Sequence, residues 1–417
     1  MLNKKKALLA IILIIFIDML GIGILITIIP QLFGDPMSVD YLLSGSMSVE
    51  QGYLLMGALT AIYPLMMFFS APVLGQLSDK IGRRKILMIS LAGTAFGYVL
   101  FALGILWKNI PLLFVARAID GLTAGNIAVA QAALADITPP EDRSKNFGLI
   151  GAMFGLGFII GPFLGGKLSD PQVVGWFNST VPFYFAALLS LFNVLLVWKN
   201  LPETLAEPAD HLKIRFSQSI LNIKKAFLDK ELRWLFLTNF LYQGGFNFFT
   251  TFFAIFAITK FGFSRGDVGD YFAYVGIWIA FSQAVITRKV AAKFKEVAVL
   301  KVSLIMTGLL IYAHLLPNQV WPLYAIVPFF AIFNGLSHAN MMGLTSRSAS
   351  SKIQGEVMGI SSGVQALAQT IPPIISGWVA ATFSPTTSIL VAAEVVVFSG
   401  LVFLTWQNFK KGAKAKA

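Results

Sequence analysis

Gly75-Gln76-Leu77-Ser78-Asp79-Lys80-Ile81-Gly82-Arg83-Arg84-Lys85 sets five charges between two long apolar blocks, about Tyr53–Gly75 and Ile86–Trp107. Each block is long enough for the roughly 20 residues that a helix needs to cross a hydrocarbon core. The charged stretch therefore reads as a tight loop at a membrane surface. Gly75 lets two helices approach closely, and Gly82 permits a turn with positive φ. Asp79 can cap a helix N-terminus and pair with Arg83 or a neighbouring arginine.

The same alternation runs through the chain. Of its 417 residues 56% are hydrophobic and 12% charged, too few charges to cover a soluble domain of this length. The mean hydropathy is +0.75. Apolar blocks place twelve candidate spans. The first six are about Ala7–Phe33, Tyr53–Gly75, Ile86–Trp107, Pro111–Ile137, Phe147–Leu168 and Pro182–Trp198. The second six are about Leu232–Phe261, Val268–Ile286, Val297–Leu316, Trp321–Leu344, Val357–Phe383 and Ile389–Trp406. The basic start and apolar run at the N-terminus lack a small-residue cleavage site and read as a retained first helix.

The net charge of +12 collects at Lys4–Lys6, Lys80–Lys85, Arg143–Lys145, Lys199–Arg233, Arg288–Lys301, Arg347–Lys352 and Lys410–Lys416. These are alternate connections; the intervening ones carry only Lys108, Lys167, Lys260 and Arg265. Positive residues mark the cytoplasmic side, so both termini and the long central loop are expected inside. Basic residues spread this way, without interleaved stacking aromatics on a soluble surface, exclude a nucleic-acid partner. The chain has no cysteine, hence no disulfide and no thiolate metal site.

A repeat is visible about 212 residues apart: Val73–Lys80 after the second span has a degenerate counterpart in Ile286–Lys293 after the eighth. Gly161-Pro162 in the fifth span has Pro372-Pro373 in the eleventh at nearly the same offset. The expected organisation is an all-α membrane protein with twelve transmembrane helices in two pseudo-symmetric six-helix bundles, 1–200 and 232–417. The linker 201–231 carries Pro202, Pro208 and His211, with a short amphipathic helix expected around Ile214–Leu228. The first loop, Gly34–Gln51, holds no motif.

Several residues carry chemistry by their placement alone. Asp18 lies mid-span, and a buried carboxylate responds to both desolvation and a neighbouring cation. Proton coupling and a plain helix–helix hydrogen bond both fit it. Arg117 lies in the fourth span, where a charge costs at least about 2.5–3.5 kcal/mol and so faces a partner or a wet cavity. Asp120, three residues on, can pair with it, either as a fixed structural pair or as part of a coupling device. Gln131 falls near the face of Arg117 and extends a polar stripe down that helix. Gly157, Gly161 and Gly165 at four-residue spacing allow close helix packing, and Pro162 bends the helix.

In the second half, Asn239, Gln243 and Asn247 form one face of the seventh span, with Phe246 beside them. Asn334, His338 and Asn340 in the tenth span and Gln365 and Gln369 in the eleventh are further cavity candidates. Glu394 in the twelfth is a lone carboxylate and a second proton-coupling candidate. A lone His338 does not make a metal site. No nucleotide-binding loop and no His/Glu metal set are found, so neither an enzyme nor a cofactor is expected.

Gly75–Lys85 resembles the signature loop of the major facilitator superfamily, and Gly75, Asp79, Gly82, Arg83 and Arg84 are then its cytoplasmic gate. Gly157–Gly166 resembles the Gly-Pro motif of that superfamily's antiporters, and Leu113–Gly121 resembles its fourth-helix motif with a membrane-embedded arginine. The first helix through Pro30 is similar to that of drug/proton antiporters of the tetracycline-efflux branch, and Leu201-Pro202-Glu203-Thr204 fits the family too. Gly97 and Thr307 stand where the tetracycline exporters carry acids, which argues against tetracycline itself, and Lys295 replaces the turn glycine of the second signature loop. The resemblance implies a monomeric transporter in a bacterial inner membrane, exporting a small amphipathic molecule in exchange for protons by alternating access. A dedicated exporter of an endogenous metabolite or siderophore and a proton-driven importer of the same fold are the alternatives.

Overall fold

The computed structural model describes residues 4–43, 45, 47–139, 142–205, 215, 217–228, 232–348 and 354–416. Among the described residues 85% are helical and no strand occurs. Pro208, His211 and the first residue of the expected linker helix, Ile214, lie outside them. So do the side chains of Arg143–Lys145, Lys352 and Lys410–Lys416.

The first half of the chain forms α1 (Lys4–Phe33), α2 (Val49–Ile81), α3 (Arg83–Leu106), α4 (Ile110–Thr123), α5 (Asn126–Ile137), α6 (Arg143–Ser169) and α7 (Val181–Asn200). A short α8 (Gln218–Leu228) follows in the linker. Then come α9 (Arg233–Phe261), α10 (Arg265–Phe281), a π-helical turn (Ser282–Thr287), α11 (Arg288–Ala291), α12 (Glu296–Ala313), α13 (Val320–Arg347), α14 (Gln354–Thr382) and α15 (Pro385–Lys416). At 1.5 Å per residue a helix of 30 residues, such as α1, is about 45 Å long and exceeds the hydrocarbon thickness.

Among the described residues, nine helices are long and apolar enough to cross a membrane, counting the Ile110–Ile137 stretch as one. That stretch departs from the expected continuous span. It breaks at Ala124–Gly125 between α4 and α5, where a Cβ on Gly125 would stand 2.8 Å from Ala71 Cα of α2. Gln131 therefore sits on α5 and Arg117 on α4, so the stripe expected along one helix is divided between two.

The helices cluster into two compact units. The first comprises residues 1–47, 62–218 and 264–273; the second comprises 48–61, 219–263 and 274–417. Within the first, α1 packs against α6 and α7, and α3 against α4 and α7. Within the second, α9 packs against α14 and α15, and α12 against α13 and α15. One packing scheme thus serves both. The α1–α6 contact is backbone to backbone: a Cβ on Gly161 would stand 2.6 Å from Leu20 O and 2.9 Å from Gly23 Cα. Gly157 and Gly165 meet α1 one turn to either side, at Met19 and Ile24, as small residues at four-residue spacing require. In the second unit, Pro372 of α14 packs on Gly244 of α9.

Candidate functional site

Asp18, Arg117 and Asp120 are all buried in the first unit. The Arg117 guanidinium donates to Asp120 Oδ2 at 2.8 Å and lies 4.4 Å from the centre of the Tyr63 ring. Both contacts use charge that the surrounding hydrocarbon side chains cannot solvate. Asn126, fully buried in the first turn of α5, faces the Asp18 carboxylate. Asp18 Oδ2, the Asn126 amide atoms and Arg117 Nε complete no hydrogen bond with any described group. Tyr63 and Tyr98 lie within electrostatic reach of both carboxylates and of Arg117. Five helices, α1 to α5, thus deliver one ionisable cluster in which part of the polar capacity is unused. Arg117 and Asp120 also face a narrow crevice walled by Leu25, Gly97, Tyr98, Phe101 and Phe183.

Tyr63, Tyr98 and Asn126 were not singled out by the sequence. A neutral polar residue in an apolar helix is common, and only its neighbours in space give it a role. Gly97 gains a meaning too: a Cβ there would stand 3.2 Å from Asp120 Cβ. Asp120 of α4 thus packs directly against Gly97 of α3.

The second unit holds neutral polar groups instead. Gln243 Nε2 and His338 Nδ1 are 3.2 Å apart, and Asn247 donates back to Gln243 O at 2.7 Å. Asn334 is taken by the Tyr242 hydroxyl at 2.7 Å, and Phe246 stacks near Phe330. Asn239 and Asn340 are buried, and Gln365 and Gln369 are half-buried. Thr307 is buried among the hydroxyls of Ser303 and Ser337. Among the described residues no aspartate or glutamate of this unit is buried. Glu394 stands on the exposed face of α15 with Phe398 and Leu401, while Ala392, Ala393 and Val396 face the core.

The Gly75–Lys85 loop is a network within the first unit. Arg83 donates to Asp79 at 2.8 Å and to Asp136 at 2.5 Å. Gly82 has φ of 101°, as the turn reading requires. The cap on α3 is not Asp79, however. The Glu203 carboxylate accepts from Arg83 N at 2.9 Å and from Arg84 N at 3.3 Å, and Arg84 also donates to Trp198 O. No described atom lies within 4 Å of where a Cβ on Gly75 would be.

The first loop, which held no motif, supplies a second charged network. Arg265 at the start of α10 donates to Asp40 at 2.5 Å, to Ser38 at 2.9 Å and to Ser179 at 3.1 Å. Burial pushes the Asp40 carboxyl up, but hydrogen bonds from Ser179 and Arg265 and the charge of Arg265 bring it below its ordinary value. Lys167 pairs with Asp270 at 2.8 Å in the same unit.

Membrane-length apolar helices around a buried ion cluster are the makeup of a helical membrane protein. Residues 11–369 match the family model of the Major Facilitator Superfamily, and the chain belongs to that family. Its members are transporters, not enzymes. The chain is 30% identical over 381 residues to the class H tetracycline resistance protein of Pasteurella multocida, covering 90% of this chain and 89% of that one. The crystal structure of the human organic anion transporter MFSD10 superposes with a TM-score of 0.71 at 21% identity, covering 97% of this chain and 100% of that one. The D-xylose–proton symporter does so with a TM-score of 0.73 at 15% identity over 95% and 97%. These two structures speak for the fold alone.

Proposed function

We propose that the protein exports a small amphipathic molecule in exchange for protons. The observation that carries this reading is the Asp18–Arg117–Asp120 cluster, in which buried Asp18 keeps an unused acceptor within electrostatic reach of Asp120, itself paired with Arg117. A proton arriving from outside neutralises Asp18 and relieves its repulsion of Asp120, the partner of Arg117. Substrate entering from the cytoplasm restores the charged form and returns the proton inward. The membrane field adds about 2.3 kcal/mol per charge per 100 mV to each cycle. Glu394, exposed on α15, is left out of the coupling set, and Gln243, Phe246, Asn247 and His338 are the substrate-facing candidates.

In this reading α6, α14 and the α10–α11 stretch also cross the membrane, making twelve spans in two halves, 1–200 and 232–417, about the linker 201–231. The halves alternate access, with both termini cytoplasmic, as a monomer in a bacterial inner membrane. The Gly157–Gly165 ridge beside Asp18 and the likeness to tetracycline resistance proteins support export. The hydroxyl cluster at Thr307 in place of an acid favours a cargo other than tetracycline, and a dedicated exporter of an endogenous metabolite is the second reading. The test is proton flux in proteoliposomes across a compound panel. An exported substrate releases protons into the compartment on its own side, and Asp18→Asn abolishes uphill transport. Co-directional flow of substrate and protons would sink the antiport reading.

A further inference from the structure

Helix α8 is 11 residues long and carries two lysines and no acid. Ser219 and Ala226 are buried, and Asn222 lies beside Gly359 of α14, so this side rests on the second unit. Four apolar residues of the helix stand away from it. Ile220, Leu221, Phe227 and Leu228 are exposed at 56%, 38%, 59% and 69%, a large apolar surface for so short an element. Lys224 is exposed between Ile220 and Leu228, its neighbours one turn away on the same face.

The chain fixes where this surface lies. The membrane-length helix α9 begins at Arg233. The Arg233 guanidinium sits 5.4 Å from the Trp234 ring, and Trp234 is itself exposed, the pairing expected at a bilayer boundary. The few residues after Leu228 span at most about 3.3–3.6 Å each, so Phe227 and Leu228 cannot stand far from that boundary.

We propose that α8 is an interfacial helix that docks on an anionic lipid surface at the leaflet where α9 begins. Phe227, Leu228 and Ile220 enter the headgroup–acyl boundary, and the Lys224 stem runs up among them to lipid phosphates. Lysine at a negatively charged leaflet adds electrostatic attraction that neutral lipid cannot supply. The inference does not depend on what the protein transports.

The absence of cysteine gives a clean test. Phe227→Cys carrying a nitroxide is reconstituted in nanodiscs of phosphatidylcholine alone and of phosphatidylcholine with phosphatidylglycerol. The ratio of relaxation by oxygen to relaxation by a water-soluble nickel chelate is expected to rise several-fold in the anionic discs. Adding Lys224→Glu is expected to remove that rise, while a label at buried Ser219→Cys shows none in either lipid. A label at 227 open to the nickel chelate in anionic discs overturns the proposal by placing α8 in water. A label shielded from both reagents overturns it by placing α8 against protein, and equal immersion in both lipids overturns the anionic requirement.

Discussion

Arg117 and Asp120 are worth most to each other when both are present. Removing one partner of a buried pair leaves an uncompensated charge, a loss of about 3–5 kcal/mol. Arg117→Gln is therefore expected to lower the apparent Tm in detergent sharply, and Arg117→Gln with Asp120→Asn to recover much of it, read at a fixed heating rate. The Asp40–Arg265 pair behaves differently with pH. The carboxyl of Asp40 is held below its ordinary 3.8, so its stabilisation is complete above that value and is lost as pH falls through the lower folded value. Stability should be flat from pH 7 to 5 as far as this pair is concerned, and Asp40→Asn should cost about 1.5–3 kcal/mol across that range. A thermal shift series over pH checks both. Asp18, Arg117 and Asp120 were legible because a charge inside an apolar run announces its own cost. Asp40, Glu203 and Asn126 were not, because loop acids and neutral amides acquire roles only from partners distant in sequence.

The contact of α1 with α6 shows the same limit at the level of elements. Four-residue glycine spacing foretold a close approach but not which helix would make it. The structure supplies α1, and with it a contrast within α6: no described atom lies within 4 Å of the Gly155 Cβ direction, whereas Gly161 abuts the α1 backbone. Gly161→Ala should cost about 1–3 kcal/mol by overpacking, and Gly155→Ala should stay within about 0.5 kcal/mol of the parent. Matched melting curves decide it. The break between α4 and α5 escaped the sequence because Gly125 occurs among other small residues, and its close neighbour Ala71 is on another helix. The linker helix was legible from its amphipathic pattern, and the structure begins it at Gln218.

For the molecule as a whole, the distribution of Lys and Arg predicts sidedness. Val39 is 78% exposed in the first loop and Lys80 is exposed at the end of α2. In intact cells a membrane-impermeant maleimide should label Val39→Cys, and Lys80→Cys only after permeabilisation; the reverse would invert the topology. Membrane class and family were readable from composition and from Gly75–Lys85. The makeup of the compact units was not, because nothing in the chain marks that 48–61 packs with the second unit and 264–273 with the first. One consequence reaches into how such a chain can diverge. The Glu203 carboxylate fills the space a Cβ on Gly82 would take, and Gly82 holds a φ of 101° that side chains resist. Position 82 is thus held to glycine by its backbone, whatever stands at 203. The acid is the freer partner: Glu203 can swing aside or be lost, so a lineage should shed the carboxylate well before it replaces the glycine.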